Sequence, residues 1–446
     1  MGFAEDLRIV DGPVLWAAWA AGIAGALYLL WPRGRRRTPA LHAAAAALAG
    51  LFPAAALVLG VHWFLVYAVP VFPDVLPSEV LGWSVPAVAA LLLALHRAWT
   101  SCRARPRPGR RGLPTTAAAA AFAGVLALSA VQINAYFGLN HTVGDLTGSA
   151  VARIQSLSDE HERQPGERPA SLAGWTPSGS LPAAGLLRKA SIPGTESGFH
   201  SRDAYVYLPP AYQTSPRPAL PVLVLFSGQP GGPADWLTGG ALRSRMDRFA
   251  AAHRGVAPVV VVVDPNGSPN GNTLCMDSNI AQADTFLAKD VPAWIRGTLD
   301  VDPDPRKWAA GGFSFGATCA IQMVTRHPGI YSAVLAFSSE AEPALAKERH
   351  KTVEASFGAD TGAFERQTPL HLMQQRRFDS HAAYFAAGER DTQFVGYLHV
   401  LSGAARAAGF SVREQIVPGA GHSWEVAARG LRGGLDFLAP RWGITR

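Results

Sequence analysis

The chain is poor in charged residues and in cysteine. Only 16% of its 446 residues are Asp, Glu, Lys or Arg, whereas soluble globular proteins carry about 25%, so the composition indicates a membrane-embedded portion. The three cysteines, Cys102, Cys275 and Cys319, are too few for a disulfide scaffold or a four-ligand zinc site. No Cys/His finger and no basic stripe interleaved with aromatic residues occurs, so the formal charge of +7 does not indicate nucleic-acid binding.

Four apolar stretches occupy the first 135 or so residues. They lie at about 13–31, 44–69, 80–99 and 114–134, each close to the roughly 20 residues that cross a bilayer as a helix. The first follows an acidic N-terminus, whereas a signal peptide begins with a positively charged segment, so we predict a retained helix. The alternative is that these alanine-rich stretches are buried helices of a soluble protein.

The loops between these stretches differ in charge. RGRRR (33–37) and RAWTSCRARPRPGRRG (97–112) are rich in Arg, whereas PVFPDVLPSE (70–79) contains acidic residues and no basic one. Because Arg-rich loops stay in the cytoplasm, the pattern predicts a multi-pass protein of the cell membrane. The N-terminus and everything after about residue 135 are then extracytoplasmic.

The composition and the hydropathy pattern divide the chain into three parts. We predict a four-helix transmembrane region at 1–135, a polar linker rich in Pro, Gly and Ser at 136–185, and a folded domain at 186–446. In the last part, short aliphatic runs alternate with helical stretches, which is typical of an α/β domain with a mostly parallel, doubly wound sheet. The predicted strands are 203–212 (antiparallel), 220–228, 257–264, 308–313, 331–339, 382–388 and 410–417, and the predicted helices are 241–253, 281–298, 316–327, 393–408 and 423–438.

The segment GGFSFGAT (311–318) contains the pattern Gly-x-Ser-x-Gly around Ser314. Alone it is a weak signal, because a chain with 45 glycines contains such patterns in ordinary turns. Its context strengthens it, since a predicted strand ends just before Ser314 and a predicted helix begins just after it. A sharp strand-to-helix turn of this kind exposes a nucleophilic serine.

A serine nucleophile needs a base and an acid that orients the base, in the order Ser, Asp/Glu, His for this fold. Asp391 and Glu389 both follow the strand 382–388, and His422 lies in a glycine-rich loop after the strand 410–417. We predict Ser314, Asp391 and His422 as the catalytic residues, with Glu389 as the alternative acid. The sequence leaves open that Asp391 is instead a helix N-cap. The competing histidines are His371, His381 and His399.

The tetrahedral intermediate that a serine nucleophile forms needs N–H donors for its oxyanion. We predict the backbone N–H of Phe315 as one donor. The second is expected from FSGQPGGPADW (226–236), where glycines allow close approach of the backbone, and the N–H of Gln229 is the candidate.

Together, IPGTESGFHSRDAYVYLPPAY, LVLFSGQPGGPADW, GGFSFGATCA and GAGHSW resemble the esterase D-type serine esterases, which include the mycobacterial mycolyltransferases. The resemblance covers roughly residues 186–440. It implies an α/β-hydrolase fold and ester hydrolysis or acyl transfer without metal or cofactor. By position it implies Ser314 as nucleophile, His422 as base, the acid within GERD (388–391), and Gln229 and Phe315 as oxyanion donors. The apolar N-terminal half resembles membrane-anchored actinobacterial members; specificity for mycolic acyl chains is not implied, because the secreted mycolyltransferases carry a signal peptide instead.

Cys275 and Cys319 both lie on the extracytoplasmic side of the predicted topology, where disulfides persist. We therefore predict that they pair and tie the loop at 264–280 to the helix after Ser314. The alternative is two buried free thiols.

These observations predict a membrane-anchored, extracytoplasmic serine esterase acting on carboxylic esters of lipids or of the cell envelope. Its expected partners are an ester substrate and the membrane, and not nucleic acid. One alternative is an acyltransferase that moves the acyl group to an alcohol. Another is a non-catalytic membrane sensor or scaffold.

Overall fold

The computed structural model describes residues 5–32, 38–69, 75–103, 113–163, 169–177 and 179–445. The chain forms two compact units, and the division between them falls between Ser149 and Ala150. This division lies inside the predicted linker at 136–185. Residues 150–185 contribute to the second unit, because the N–H of Leu157 donates to the carbonyl of Lys189 at 2.8 Å and Ala170 pairs with Pro218.

Helices build the described part of the first unit. They are α1 (Gly12–Leu30), α2 (Pro39–Trp63, continued by a π-helix at Phe64–Ala68), α3 (Ser78–Arg103), α4 (Leu113–Phe137) and the short α5 (Val143–Leu146). The first four coincide with the four predicted apolar stretches and extend a few residues beyond most of them. Each is long and apolar enough to cross a membrane. The Arg-rich sequences at 33–37 and 104–112, on which the predicted orientation depends, lie outside the described residues, as does 70–74.

Large apolar side chains cover the outside of these helices. Phe52 is 80% exposed, Trp16 is 74% exposed and Leu48 is 71% exposed. Soluble proteins rarely expose continuous apolar surfaces of this kind. The surface is therefore unlike that of a soluble helical domain, and a lipid environment suits it.

Small residues allow α1 and α4 to pack backbone against backbone. A Cβ atom added to Gly25 would collide with the carbonyl oxygen of Ala121, and one added to Gly124 would lie 2.6 Å from the carbonyl oxygen of Ala21. Close contacts between small residues are typical of helix pairs in membranes, where lipid removes the hydrophobic drive for association.

A single sheet of eight strands organises the described part of the second unit. The strands are β1 (Leu186–Ala190), β2 (Ala204–Leu208), β3 (Val222–Phe226), β4 (Val259–Val263), β5 (Trp308–Phe313), β6 (Ala333–Phe337), β7 (Ala382–Gly388) and β8 (Ser411–Val417). Their order is β1-β2-β4-β3-β5-β6-β7-β8, with β1 and β2 antiparallel at one edge and the other six parallel. The predicted fold class is confirmed. β2 is the predicted antiparallel strand.

The register of the parallel strands brings their carboxyl ends to one edge of the sheet. Phe226 of β3 pairs with Val263 of β4 and with Gly312 of β5, and Phe313 pairs with Phe337 of β6. The five valines of β4 are completely buried, which is why this run shows no alternation of apolar and polar residues. Loops that follow these strands therefore meet at one edge, where α/β proteins build their sites.

A short helix, α6 (Ser149–Ala152), spans the division between the units. The helices of the second unit follow its strands: α7 (Leu242–Ala252), α8 (Ala283–Thr285, continued by a π-helix at Phe286–Asp290), α9 (Val291–Thr298), α10 (Phe315–Arg326), α11 (Arg349–Phe357), α12 (Thr361–Glu365), α13 (Pro369–Gln375), α14 (Thr392–Ala407) and α15 (Trp424–Trp442). The sequence reading did not identify β1 or α11–α13. β1 is a five-residue edge strand in which every residue is half-buried, so it has no apolar periodicity.

Candidate active site

Ser314 forms the sharp turn between β5 and α10. Its backbone has φ 55° and ψ −124°, a conformation that non-glycine residues rarely adopt. Such a residue costs on the order of 1–3 kcal/mol and persists where its surroundings hold it in place. Here the N–H of Ser314 donates to the carbonyl of Phe337 in the neighbouring strand at 2.9 Å. The turn therefore presents the hydroxyl at the carboxyl edge of the sheet.

The glycines on either side of Ser314 are required by steric contact. A Cβ atom on Gly312 would collide with the carbonyl group of Gly316. One on Gly316 would collide with the carbonyl oxygen of Phe226 and lie 2.6 Å from that of Ser227. Since the helix begins in contact with the strand that precedes it and with the end of β3, only glycine fits at both positions.

Two hydrogen bonds link Ser314, His422 and Asp391. Oγ of Ser314 lies 2.9 Å from Nε2 of His422, and Nδ1 of the same ring lies 2.8 Å from Oδ2 of Asp391. A carboxylate only accepts, so Nδ1–H donates to Asp391 and Nε2 is left to accept from the serine hydroxyl. The side chain of His422 is 21% exposed and that of Asp391 12%, so a substrate can reach the pair.

The environment of the two candidate acids differs. Asp391 stands at the N-cap position of α14, but its side chain makes no capping bond and contacts His422 instead. The carboxylate of Glu389 accepts from the backbone N–H of Gly419 at 2.8 Å. Glu389 thus stabilises the loop that carries His422 through its backbone, whereas Asp391 contacts the imidazole ring itself.

The loop that carries His422 packs tightly over the end of β7. The N–H of Arg390 donates to the carbonyl of Ala420 at 2.9 Å, and a Cβ atom on Gly388 would collide with the carbonyl of Gly421. The imidazole lies beside the ring of Phe394, with 4.2 Å between centroids. These contacts restrict the orientation of the imidazole between serine and aspartate.

Two of the competing histidines have other partners. Nε2 of His381 lies 3.1 Å from the carbonyl of Pro328, and burial lowers the pKa of this imidazole. Nδ1 of His399 lies 3.5 Å from the carboxylate of Glu414.

The two predicted oxyanion donors belong to segments next to Ser314. Phe315 follows it in the chain, and Gly228 approaches it so closely that an added Cβ would lie 3.9 Å from the serine Cβ. Gln229 follows Gly228. Within the described part of the chain, neither the N–H of Phe315 nor that of Gln229 donates to a protein acceptor.

Cys275 and Cys319 lie at disulfide distance, with 5.5 Å between their Cα atoms. A bridge that closes a loop of this length, 44 residues, stabilises a protein by about 2–4 kcal/mol. Next to it, Nε2 of Gln322 donates to the carbonyl of Leu274 at 3.0 Å. The loop after β4 is therefore tied to the helix that begins at Ser314.

Sequence reasoning missed a charged pair beside the loop after β3. Arg202 precedes β2, Asp264 follows β4, and their side chains form an ion pair with an N–O distance of 2.6 Å. The sequence indicated one member of the pair, because Asp264 ends a run of five valines and so places a carboxylate at the end of a buried strand, but it did not indicate Arg202 as its partner.

Comparisons with known proteins identify a family. A family model described as "Putative esterase" matches residues 198–430. An uncharacterized protein of Corynebacterium glutamicum is 39% identical over 270 residues, which are 58% of this chain and 63% of that protein. The chain thus spans less than two thirds of the length of this relative.

Solved structures are similar at lower identity. A ferulic acid esterase is 20% identical, covers 59% of this chain and 100% of its own, and has a TM-score of 0.49. An S-formylglutathione hydrolase of Agrobacterium tumefaciens is 18% identical, with 59% and 98% covered and a TM-score of 0.49. MPT51 of Mycobacterium tuberculosis is 16% identical, with 58% and 99% covered and a TM-score of 0.44.

Proposed function

The chain belongs to the family described as putative esterases, and we propose that it is a serine carboxylic-ester hydrolase whose reaction is carried out by Ser314, His422 and Asp391. The observation that supports this assignment is the pair of hydrogen bonds, 2.9 Å and 2.8 Å, that runs from the serine hydroxyl through the imidazole to the carboxylate. A serine hydroxyl is a weak nucleophile on its own, and a histidine held in this tautomer activates it.

Acylation begins when Oγ of Ser314 attacks the ester carbonyl carbon and its proton passes to Nε2 of His422. The carboxylate of Asp391 stabilises the imidazolium that results. The N–H groups of Gln229 and Phe315 donate to the oxyanion of the tetrahedral intermediate. When the intermediate collapses, the C–O bond to the alcohol breaks, and the alcohol leaves with the proton from His422.

Deacylation repeats these steps with water. His422 removes a proton from water, and the water oxygen attacks the acyl-enzyme carbonyl carbon. His422 then returns the proton to Oγ of Ser314 as the bond between Oγ and the acyl carbon breaks. The products are one carboxylic acid and one alcohol, and the enzyme is restored. An alcohol bound in place of water would give a new ester by the same route.

We propose further that α1–α4 anchor the enzyme in the cell membrane with its catalytic unit on the extracytoplasmic side. The length of these helices and their exposed apolar side chains support the anchor. The Arg-rich sequences at 33–37 and 97–112 support the orientation through the preference of positive loops for the cytoplasm. A cystine at 275 and 319 is also typical of that compartment. An anchored esterase suits esters of lipids or of the cell envelope.

Purified full-length protein in detergent tests the reaction. We expect it to release the chromophore from a short-chain nitrophenyl ester and to form free acid at the same rate when a sugar or lipid alcohol is added. Acyl product on the alcohol in place of free acid would replace the hydrolase by an acyltransferase. Failure of folded protein to react with a fluorophosphonate would favour a non-catalytic scaffold.

Reporter fusions test the orientation. Alkaline phosphatase, which is active only outside the cytoplasm, should be active when fused after residue 150 and inactive when fused at residue 105. Green fluorescent protein at the same positions is the matched control and should give the opposite pattern. A reversed pattern for both reporters would place the catalytic unit in the cytoplasm.

A further inference from the structure

We infer that Arg202, held by Asp264, is a positioning residue that sets the backbone of the oxyanion loop, residues 228–232. This inference rests on the proposed function, in which Gln229 of this loop supplies an oxyanion donor. Neither Arg202 nor Asp264 contacts the catalytic histidine or serine, so the effect on catalysis is indirect.

Strand pairing brings the two residues together. Tyr205 of β2 pairs antiparallel with Val262 of β4, so the residues before β2 lie beside those that follow β4. β4 in turn pairs with β3, and Phe226 lies opposite Val263. The start of β2, the end of β4 and the end of β3 therefore share one edge of the sheet, and the oxyanion loop leaves β3 next to the charged pair.

The pair is bidentate and its acid is fully buried. Nε of Arg202 lies 2.6 Å from Oδ2 of Asp264, and Nη2 lies 2.8 Å from Oδ1. The side chain of Asp264 is completely inaccessible, and that of Arg202 is 29% exposed. Two parallel N–H···O bonds fix the plane of a guanidinium as well as its place, which an ammonium group cannot reproduce.

The same guanidinium holds the loop. Nη2 of Arg202 also donates to the carbonyl of Gly231 at 2.8 Å. A Cβ atom on Gly232 would lie 2.8 Å from Nη1, so the guanidinium packs directly on this backbone. The carbonyl that Arg202 fixes is two residues from Gln229.

Other groups hold the loop from its far side. The N–H of Gly231 donates to the carbonyl of Pro269 at 2.9 Å, and the N–H of Gly232 donates to Asp235 at 2.8 Å. Burial raises the pKa of the Asp235 carboxyl, while the N–H of Gly232 and the charge of Arg202 oppose that shift. The peptide group between Gly231 and Gly232 is thus held at its carbonyl by Arg202 and at its N–H by Asp235.

Arg202→Lys tests whether Arg202 orients the oxyanion loop or only neutralises the charge of Asp264. Lysine keeps the positive charge beside Asp264, but its three N–H donors diverge from one nitrogen and do not reproduce the planar arrangement that holds both carboxylate oxygens and the carbonyl of Gly231. We expect kcat and the rate of fluorophosphonate labelling to fall about 10- to 100-fold, because small displacements of an oxyanion donor have effects of this order. KM for a short-chain ester should stay within about twofold, since a donor to the oxyanion acts mainly in the transition state. The measured kcat and labelling rate of each variant are divided by its folded fraction, which near-ultraviolet circular dichroism gives, so that a loss of folding is not counted as a loss of catalysis.

Arg217→Lys is the matched control. Arg217 also pairs with a buried acid, Asp300, at 2.9 Å. It precedes β3, however, and so lies at the amino end of that strand, away from the proposed site. We expect it to lower the unfolding temperature without changing kcat of the folded fraction. Asp264→Asn, which keeps the size of the side chain and removes the carboxylate, should reproduce the loss of kcat if Arg202→Lys does not fold.

The outcomes separate this inference from the proposed function. If wild-type protein is not labelled by fluorophosphonate, the catalytic assignment itself is wrong. If wild type is labelled and both Arg202→Lys and Asp264→Asn react at the wild-type rate, the positioning role is wrong. An equal loss of kcat in Arg217→Lys would also overturn it, because the effect would then belong to any buried pair.

Discussion

Ser314→Ala should abolish ester hydrolysis, lowering kcat on the order of 10⁴- to 10⁶-fold, with the fold intact. The hydroxyl is the only group in the proposed site that forms the acyl-enzyme, and alanine offers no replacement. Alanine has no greater difficulty than serine with the backbone conformation at φ 55°. We therefore expect an unfolding temperature within a few degrees of wild type and no fluorophosphonate labelling.

Ser338→Ala is the matched control for this result. Ser338 is also a non-glycine residue with positive φ, 51°, it also follows a central strand, and it is buried. Its Oγ has no hydrogen-bond partner among the described residues. We expect activity within about threefold of wild type. A similar loss in both variants, or substantial activity in folded Ser314→Ala, would remove Ser314 from the role of nucleophile.

The turn around Ser314 could be predicted from local sequence because the motif that marks it is local. Gly312 and Gly316 are four residues apart in the motif. A Cβ on Gly312 would collide with the backbone of Gly316, and a Cβ on Gly316 would collide with the backbone at the end of β3. A strand of five or six residues before the turn and an apolar helix after it are also visible as runs. The order of Asp391 and His422 along the chain then followed from the placement of loops after strands.

The identity of the acid partner could be ranked but not settled from sequence. Glu389 and Asp391 are two residues apart in the same turn, and both carry carboxylates. Which of them faces the imidazole depends on how the His422 loop docks on β7, which involves backbone contacts between segments about 30 residues apart. Periodicity and spacing contain no information on such a contact.

The Arg202–Asp264 pair was missed for a related reason. Residues 202 and 264 meet only because β2 runs antiparallel to β4, and β4 is a run of five valines with no alternation to indicate a register. The same limitation hid β1, whose charged and half-buried residues resemble a loop. Long-range pairing, and not residue chemistry, is what the sequence alone left undetermined.

Asp391→Asn should lower kcat by about 10⁴-fold with little change in stability. The amide is similar in size to the carboxylate, but its NH₂ group can donate to Nδ1 of His422. The ring would then carry its proton on Nε2, the atom that must accept from Ser314, and the base would be in the wrong tautomer. Measuring kcat and KM with a chromogenic ester should show the loss in kcat, because ester binding does not depend on the tautomer.

Glu389→Gln distinguishes the two acids. Glutamine still accepts from the N–H of Gly419 through its amide oxygen, so the brace on the loop weakens without being lost. We expect kcat within about fivefold of wild type and a loss of stability of no more than about 1 kcal/mol, because a hydrogen bond to a charged acceptor is worth more than one to a neutral acceptor. A larger loss of kcat in Glu389→Gln than in Asp391→Asn would assign the acid to Glu389. Among the described residues, Asp391 contacts the imidazole, whereas Glu389 accepts from the backbone of the His422 loop, so we expect the larger loss of kcat in Asp391→Asn.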